Sequence, residues 1–90
     1  MSAGDLTPGK RVNLPGDDYH LLQAGEYMKG HHTWWGHCPG PDDLNCNLSA
    51  HQIVEHEDGT ITVSPSILCT DGKAGHSWHG YLERGVWREV

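Results

Sequence analysis

The sequence predicts a small, mostly β single domain, an antiparallel meander of short strands with a loosely structured N-terminal arm. Three observations carry that expectation. Twelve glycines and five prolines in 90 residues space turns too closely for long helices. Only Tyr19 to Lys29 offers an apolar stripe at helical spacing, and it is about three turns long with Gly25 in the middle. Between Thr62 and Val90, three strand-like runs separated by short turns hold two of the four tryptophans.

Residues 1–18 form the arm, and residues 19–90 the domain. Pro8-Gly9 and Pro15-Gly16 bracket Lys10 to Leu14, which leaves room for one short edge strand. In Tyr19 to Lys29, Gly25 separates HLLQA from EYMKG, a division that suits a hairpin better than a helix. His31 to Cys38 follows, with Trp34 and Trp35 adjacent. On a strand they point to opposite faces, so one can enter a core while the other stays at the surface. Pro39 to Asn47 is dense in turn formers, and His51 to His56 resumes an extended run around Ile53 and Val54.

Asp58-Gly59 signals a hairpin into Thr60 to Ser64, where Ile61 and Val63 alternate with polar residues. Pro65 has no N–H to give to a ladder, so a bend or bulge is expected before Ile67, Leu68 and Cys69 resume. Asp71-Gly72 makes a turn. From there His76, Trp78, Gly80 and Leu82 share one strand face, and Glu83 to Gly85 connects to a last strand, Val86 to Val90.

Twelve acidic residues against six basic ones give a net charge of −6, which opposes electrostatic binding to nucleic acid or to an anionic membrane. Protonation of the eight histidines below about pH 6.5 would offset that charge. No apolar run approaches the roughly 20 residues of a membrane span, and no basic-then-apolar leader is evident. A soluble protein made in a cytoplasm is therefore expected, not a secreted one.

Phe is absent and the apolar share is low, so a core of this size needs an additional staple. Three cysteines leave one unpaired in any internal disulfide scheme, which fits free or metal-bound thiols in a reducing compartment. Zinc takes four thiolate and imidazole ligands, and a closed set of them contributes folding energy. Cys38, Cys46, Cys69 and His76 supply such a set for a structural, ribbon-like zinc site, with His37 and His79 as substitutes for the histidine. The competing reading makes the cysteines small buried hydrophobes and the histidines solvated polar groups. Catalysis by the same metal would need a nearby base, for which Glu55, Glu57 and Asp43 are available. No catalytic residue is assigned.

The segments Pro65-Ser66-Ile67-Leu68 and His76-Ser77-Trp78-His79-Gly80-Tyr81-Leu82-Glu83-Arg84-Gly85-Val86-Trp87 resemble small uncharacterised β-domain proteins encoded by bacteriophages, particularly those of actinobacteria. The likeness covers about the last third of the chain closely, and Trp35-Gly36-His37-Cys38-Pro39 extends it loosely. Some relatives of that type carry Cys-x-x-Cys after the tryptophan, where this chain has Pro41 in place of the second cysteine. The resemblance implies a phage origin and a β fold. With it, the expected role is protein binding, as a virion accessory or decoration component in the particle or host cytoplasm, with Trp34, Trp35, Tyr81 and Trp87 as anchors. An early protein that inhibits a host or defence protein, and a small zinc-dependent hydrolase or nuclease, are the alternatives. A homo-oligomer is compatible with an arm that orders against a neighbour.

Overall fold

The alternation around Ile61 belongs to a much longer strand than the proline suggests. The computed structural model describes residues 6–40, 44–70, 72, 75 and 77–90, and in it β7 runs unbroken over Ile61–Thr70. Ile61, Val63, Ile67 and Cys69 are buried, and the intervening residues are exposed or half-buried. Pro65 sits in a bulge. Val63 pairs with Leu82 and Ile67 with Gly80, so four residues of β7 advance against two of β8 (Ser77–Glu83), and the missing N–H costs no ladder bond there.

Around β7 the larger sheet has the order β1-β9-β8-β7-β6, with β1 at Leu6–Pro8, β6 at Gln52–Glu55 and β9 at Val86–Glu89. Its pairings are all antiparallel. Each tight turn follows from local chemistry. Asp58 Oδ1 accepts from the Thr60 amide at 3.0 Å and the Thr60 hydroxyl at 2.6 Å, closing the β6–β7 hairpin. Arg84 and Gly85 both have positive φ, 47° and 77°, as expected of a two-residue turn whose twist matches the strands it joins.

The smaller sheet has the order β2-β3-β4-β5, formed by Lys10–Arg11, Glu26–Lys29, Trp34–His37 and Asn45–Asn47. Only β2 runs parallel to its neighbour. The described part of the arm thus supplies an edge strand to each sheet, two strands where the sequence suggested one. Tyr19 to Lys29 does not fold as a hairpin: Tyr19–Leu21 is a single 3₁₀ turn and only EYMK is a strand. The partner of EYMK is WWGH, and Tyr27 and Met28 are both buried in that pairing.

The main core lies between the sheets. Tyr27, Cys38, Leu44, Cys46 and Leu48 face it from the smaller sheet and its flanks, and Ile61, Val63, Ile67, Cys69, Trp78, Leu82 and Trp87 from the larger one. Gly36 suits that packing, because a Cβ there would lie 3.2 Å from Cη2 of Trp87 and the ring would have to shift by a few tenths of an ångström. On the outer side of the smaller sheet, Tyr19 stacks on Trp35 with ring centroids 3.9 Å apart and planes 9° apart. Met28 and His37 are buried nearby on that strand pair, as is Leu22 in the covering segment.

Candidate metal centre

The sheet registers place three cysteines at one end of the core. Cys46 is opposite Gly36 on β4, so its side chain points inward, and Cys38 follows two residues after Gly36 on the same face. Cys69 comes from the other sheet, opposite Trp78. Their Sγ atoms lie within 4.8 Å of one another and all three residues are buried. Cys38 Sγ is 3.0 Å from Cys46 Sγ, and Cys69 Sγ is in contact with both. Sulfur forms one disulfide at a time, so the trio can be a thiolate set for a soft metal or one disulfide with a third thiol beside it.

The Cα separations distinguish the pairs. Cys46 and Cys69 are 5.8 Å apart, inside the usual disulfide range, and Cys38 and Cys69 are 7.0 Å apart, at its limit. Beside Cys38 a cleft of about 210 Å³ opens between Pro39, Gly40, Leu44, Gly75, Ser77, Trp78 and Glu89. Cys46 and Cys69 do not border it.

Among the described residues only the three cysteines form the group. His76, the expected fourth ligand, and Asp43, a candidate base, lie outside the described residues. Neither substitute histidine takes that place. His37 is on the outer face of β4 with Nδ1 3.0 Å from the Cys38 carbonyl, and His79 Nε2 is 2.9 Å from the Ser66 hydroxyl. Glu55 is held elsewhere, accepting from Arg11 at 2.9 Å with Lys29 3.6 Å away. Glu57 stands on the exposed hairpin beside Asp58.

The four aromatic anchors separate into different environments. Trp87 is a correction: it is fully buried, its indole N–H donates to the Gly25 carbonyl at 2.8 Å, and its ring meets Trp78 edge-on at 5.4 Å. It is a core residue and cannot meet a partner without unfolding. Trp34 packs against the core and is capped by Arg11 and Lys29, 4.9 and 5.8 Å from its ring centroid. Trp35 is half-buried under Tyr19, and Tyr81 is half-buried on the outer face of the larger sheet with Arg88 4.6 Å over its ring. Arg11, Lys29 and Tyr19 carry no spacing signal in the sequence. They are recruited by tertiary contacts from segments that read as arm and hairpin.

Arg11 is also a clasp between the sheets, since it lies on β2 and bonds Glu55 on β6 and the Gly59 carbonyl at 3.0 Å. That hydrogen bond, more than the nearby Lys29 charge, holds the Glu55 carboxyl below the usual carboxylate range against the opposing effect of desolvation. A depressed folded value stabilises the fold above the unfolded carboxylate value, about 4.3, and the contribution is lost as pH falls through the folded value. Glu55→Gln should therefore melt lower than wild type at neutral pH, with the gap closing as pH drops below about 4. The pair is exposed, so salt should narrow the gap as well. A gap that is independent of pH would rule out the clasp as its source.

Fold and site together define a two-sheet β domain in which a buried three-sulfur cluster joins the sheets. No protein-family model matches the chain, and no curated protein or solved structure resembles it closely enough to count as a relative. No helix among the described residues is long and apolar enough to cross a membrane.

Proposed function

We propose that this chain is a zinc-stabilised binding domain that acts through protein–protein contacts, as an accessory component of a phage particle. The observation that carries the reading is the convergence of three buried sulfurs from both sheets, a donor set suited to zinc in a core too small and phenylalanine-free to be robust alone. Cys38, Cys46 and Cys69 are the protein ligands. His76 completes the set in this reading, as the fourth soft donor that the sequence offers after Cys69. Bound there, zinc would link the sheets and contribute its binding energy to folding.

The contact surfaces are the Tyr19–Trp35 stack on the outer side of the smaller sheet and Tyr81 on the outer face of the larger one, the half-buried or exposed aromatics left after Trp87 is assigned to the core and Trp34 is packed against it. Stacked rings offer a partner a large apolar area with little conformational freedom to lose. Elemental analysis should find one zinc per chain, and the protein should sediment with particles. Zinc absence would remove the metal from the reading, and capture of a host protein by a chain that stays off particles would replace the virion role with that of an early inhibitor. Once a partner is in hand, Trp35→Ala should weaken the complex by at least about 2 kcal/mol, roughly 30-fold, with the melt of the free domain still cooperative. Unchanged affinity in both Trp35→Ala and Tyr81→Ala would sink the aromatic surface.

A further inference from the structure

We propose that the outer face of the larger sheet is the contact surface for a second copy of this chain, with a twofold axis along β8 that sets Tyr81 of one copy against Tyr81 of the other. The inference takes up the Tyr81 surface of the binding reading and names its partner. It requires neither zinc nor a particle, and it leaves the Tyr19–Trp35 stack to another molecule.

The exposed large apolar and aromatic side chains among the described residues are Leu6, Tyr19, Leu21, Val54, Leu68 and Val90. Tyr19 and Leu21 belong to the turn that covers the smaller sheet. The others share the outer face of the larger one, as its registers show. Leu68 pairs with His79, and Val54 with Thr62, each one residue out of phase with side chains that face the core. Leu6 pairs with Arg88, which pairs with Tyr81. The Val90 amide donates to the His79 carbonyl at 3.0 Å, so Val90 extends β9 beside that residue. Any one of these side chains would be unremarkable at a surface, but together around the half-buried Tyr81 and Val86 they make a patch.

Charge and symmetry make a second copy the fitting occupant. A chain of net charge −6 repels its own kind wherever acidic residues meet. On this face the described charges are Glu83 and Arg88, paired at 3.1 Å, and they cancel. The turn from β7 to β8 adds Asp71 and Lys73 in sequence, again one of each sign. Two such faces therefore approach without net repulsion.

β8 is the middle strand of the order β1-β9-β8-β7-β6. A twofold axis along it lays β9 of one copy over β7 of the other, and β1 over β6. Leu68 and Val90 flank His79 in one row, so each Leu68 meets Val90 of the other copy. Pro8 and Val86 lie in the row of Glu83, and the Val63–Leu82 register carries that row on to Thr62 and Val54, so Pro8 meets Val54. Five strands about 4.8 Å apart, each of about six residues rising about 3.3 Å, give a face of roughly 500 Å² in plan. Accessible area over side chains exceeds plan area, so two copies reach the low end of the roughly 1,200–2,000 Å² of a specific interface. That size fits a reversible dimer, not an obligate one.

Sedimentation equilibrium of the full-length protein, from about 1 μM to about 1 mM, should show a 10.0 kDa monomer in equilibrium with a species of twice that mass. Leu68→Lys sets a charge against Val90 of the other copy and should raise the dissociation constant at least about 30-fold. Leu21→Lys, at a similarly exposed position over the other sheet, should leave it unchanged. Both leucines are exposed, so the melts of the two variants at low concentration should match that of wild type. Photochemical dityrosine coupling tests the axis: Tyr81 should couple to Tyr81, and Tyr81→Phe should keep the dimer and lose the cross-link. A wild type that stays monomeric throughout overturns the proposal, as does a dimer that Leu21→Lys weakens and Leu68→Lys does not. Coupling chiefly through Tyr19 overturns it too, by placing the contact over the smaller sheet. The measurement uses the purified chain alone, so a dimer that fails to sediment with particles separates this inference from the particle reading.

Discussion

Trp87→Ala should cost about 3–5 kcal/mol, the range for removing a large aromatic from a closed core. With total stabilities of about 5–15 kcal/mol for a domain, that is enough to leave much of the chain unfolded near physiological temperature. The ring is fully buried and meets Trp78 edge-on, and the strand opposite is built around it, with Gly36 offering no Cβ where the ring passes. The same substitution strands the Gly25 carbonyl, which receives the indole N–H. Trp87→Phe isolates that term: it keeps most of the ring volume, loses the donor, and should cost about 1–3 kcal/mol. Chemical denaturation of both variants checks the pair. If Trp87→Phe were as damaging as Trp87→Ala, the hydrogen bond would dominate and the packing argument would fail.

The contrast between Trp87 and Trp35 shows what was legible in the sequence. Alternation placed Trp78, Gly80 and Leu82 on one strand face, and Asp58-Gly59 and Arg84-Gly85 announced their hairpins, because turn chemistry and side-chain period are local properties. Pro65 correctly announced an irregularity, which the structure absorbs as a bulge within one ten-residue strand. Trp87 read as a surface anchor because nothing local says that Gly36, 51 positions upstream, leaves space for its ring. Tyr19 and Arg11 carry no local signal for the same reason, since their partners Trp35 and Glu55 come from other segments. Donor chemistry groups the three cysteines despite wide spacings, and the structure brings their sulfurs together, which leaves both a metal site and a packed thiol cluster open. Their meeting depends on the sheets facing each other, and no spacing rule contains that.

Cys69→Ala should destabilise the protein by about 2–5 kcal/mol, and where the link is a disulfide Cys38→Ala should cost clearly less. Cys38 and Cys46 belong to the same sheet side, just beyond β4 and on β5 respectively, whereas Cys69 is the sulfur contributed by the other sheet. Deleting Cys69 removes every sulfur-mediated link between the sheets, whether the link is a metal or a disulfide. Deleting Cys38 leaves Cys46 and Cys69, whose Cα atoms are 5.8 Å apart, able to hold the sheets together. At about 4–8 °C per kcal/mol for a domain of this size, the first loss is a large shift in melting temperature. Treating wild type with chelator and reductant together should lower its melt towards that of Cys69→Ala, while the variant itself stays indifferent to both. Chelator alone lowers the wild-type melt if the link is zinc, and reductant alone does so if it is a disulfide. A wild-type melt unmoved by either reagent would mean that the sulfurs are packing atoms only and that the core between Trp87 and Tyr27 holds the sheets by itself, whereas equal losses for the two alanine variants with a chelator-sensitive wild type would mean that Cys38 is a metal ligand.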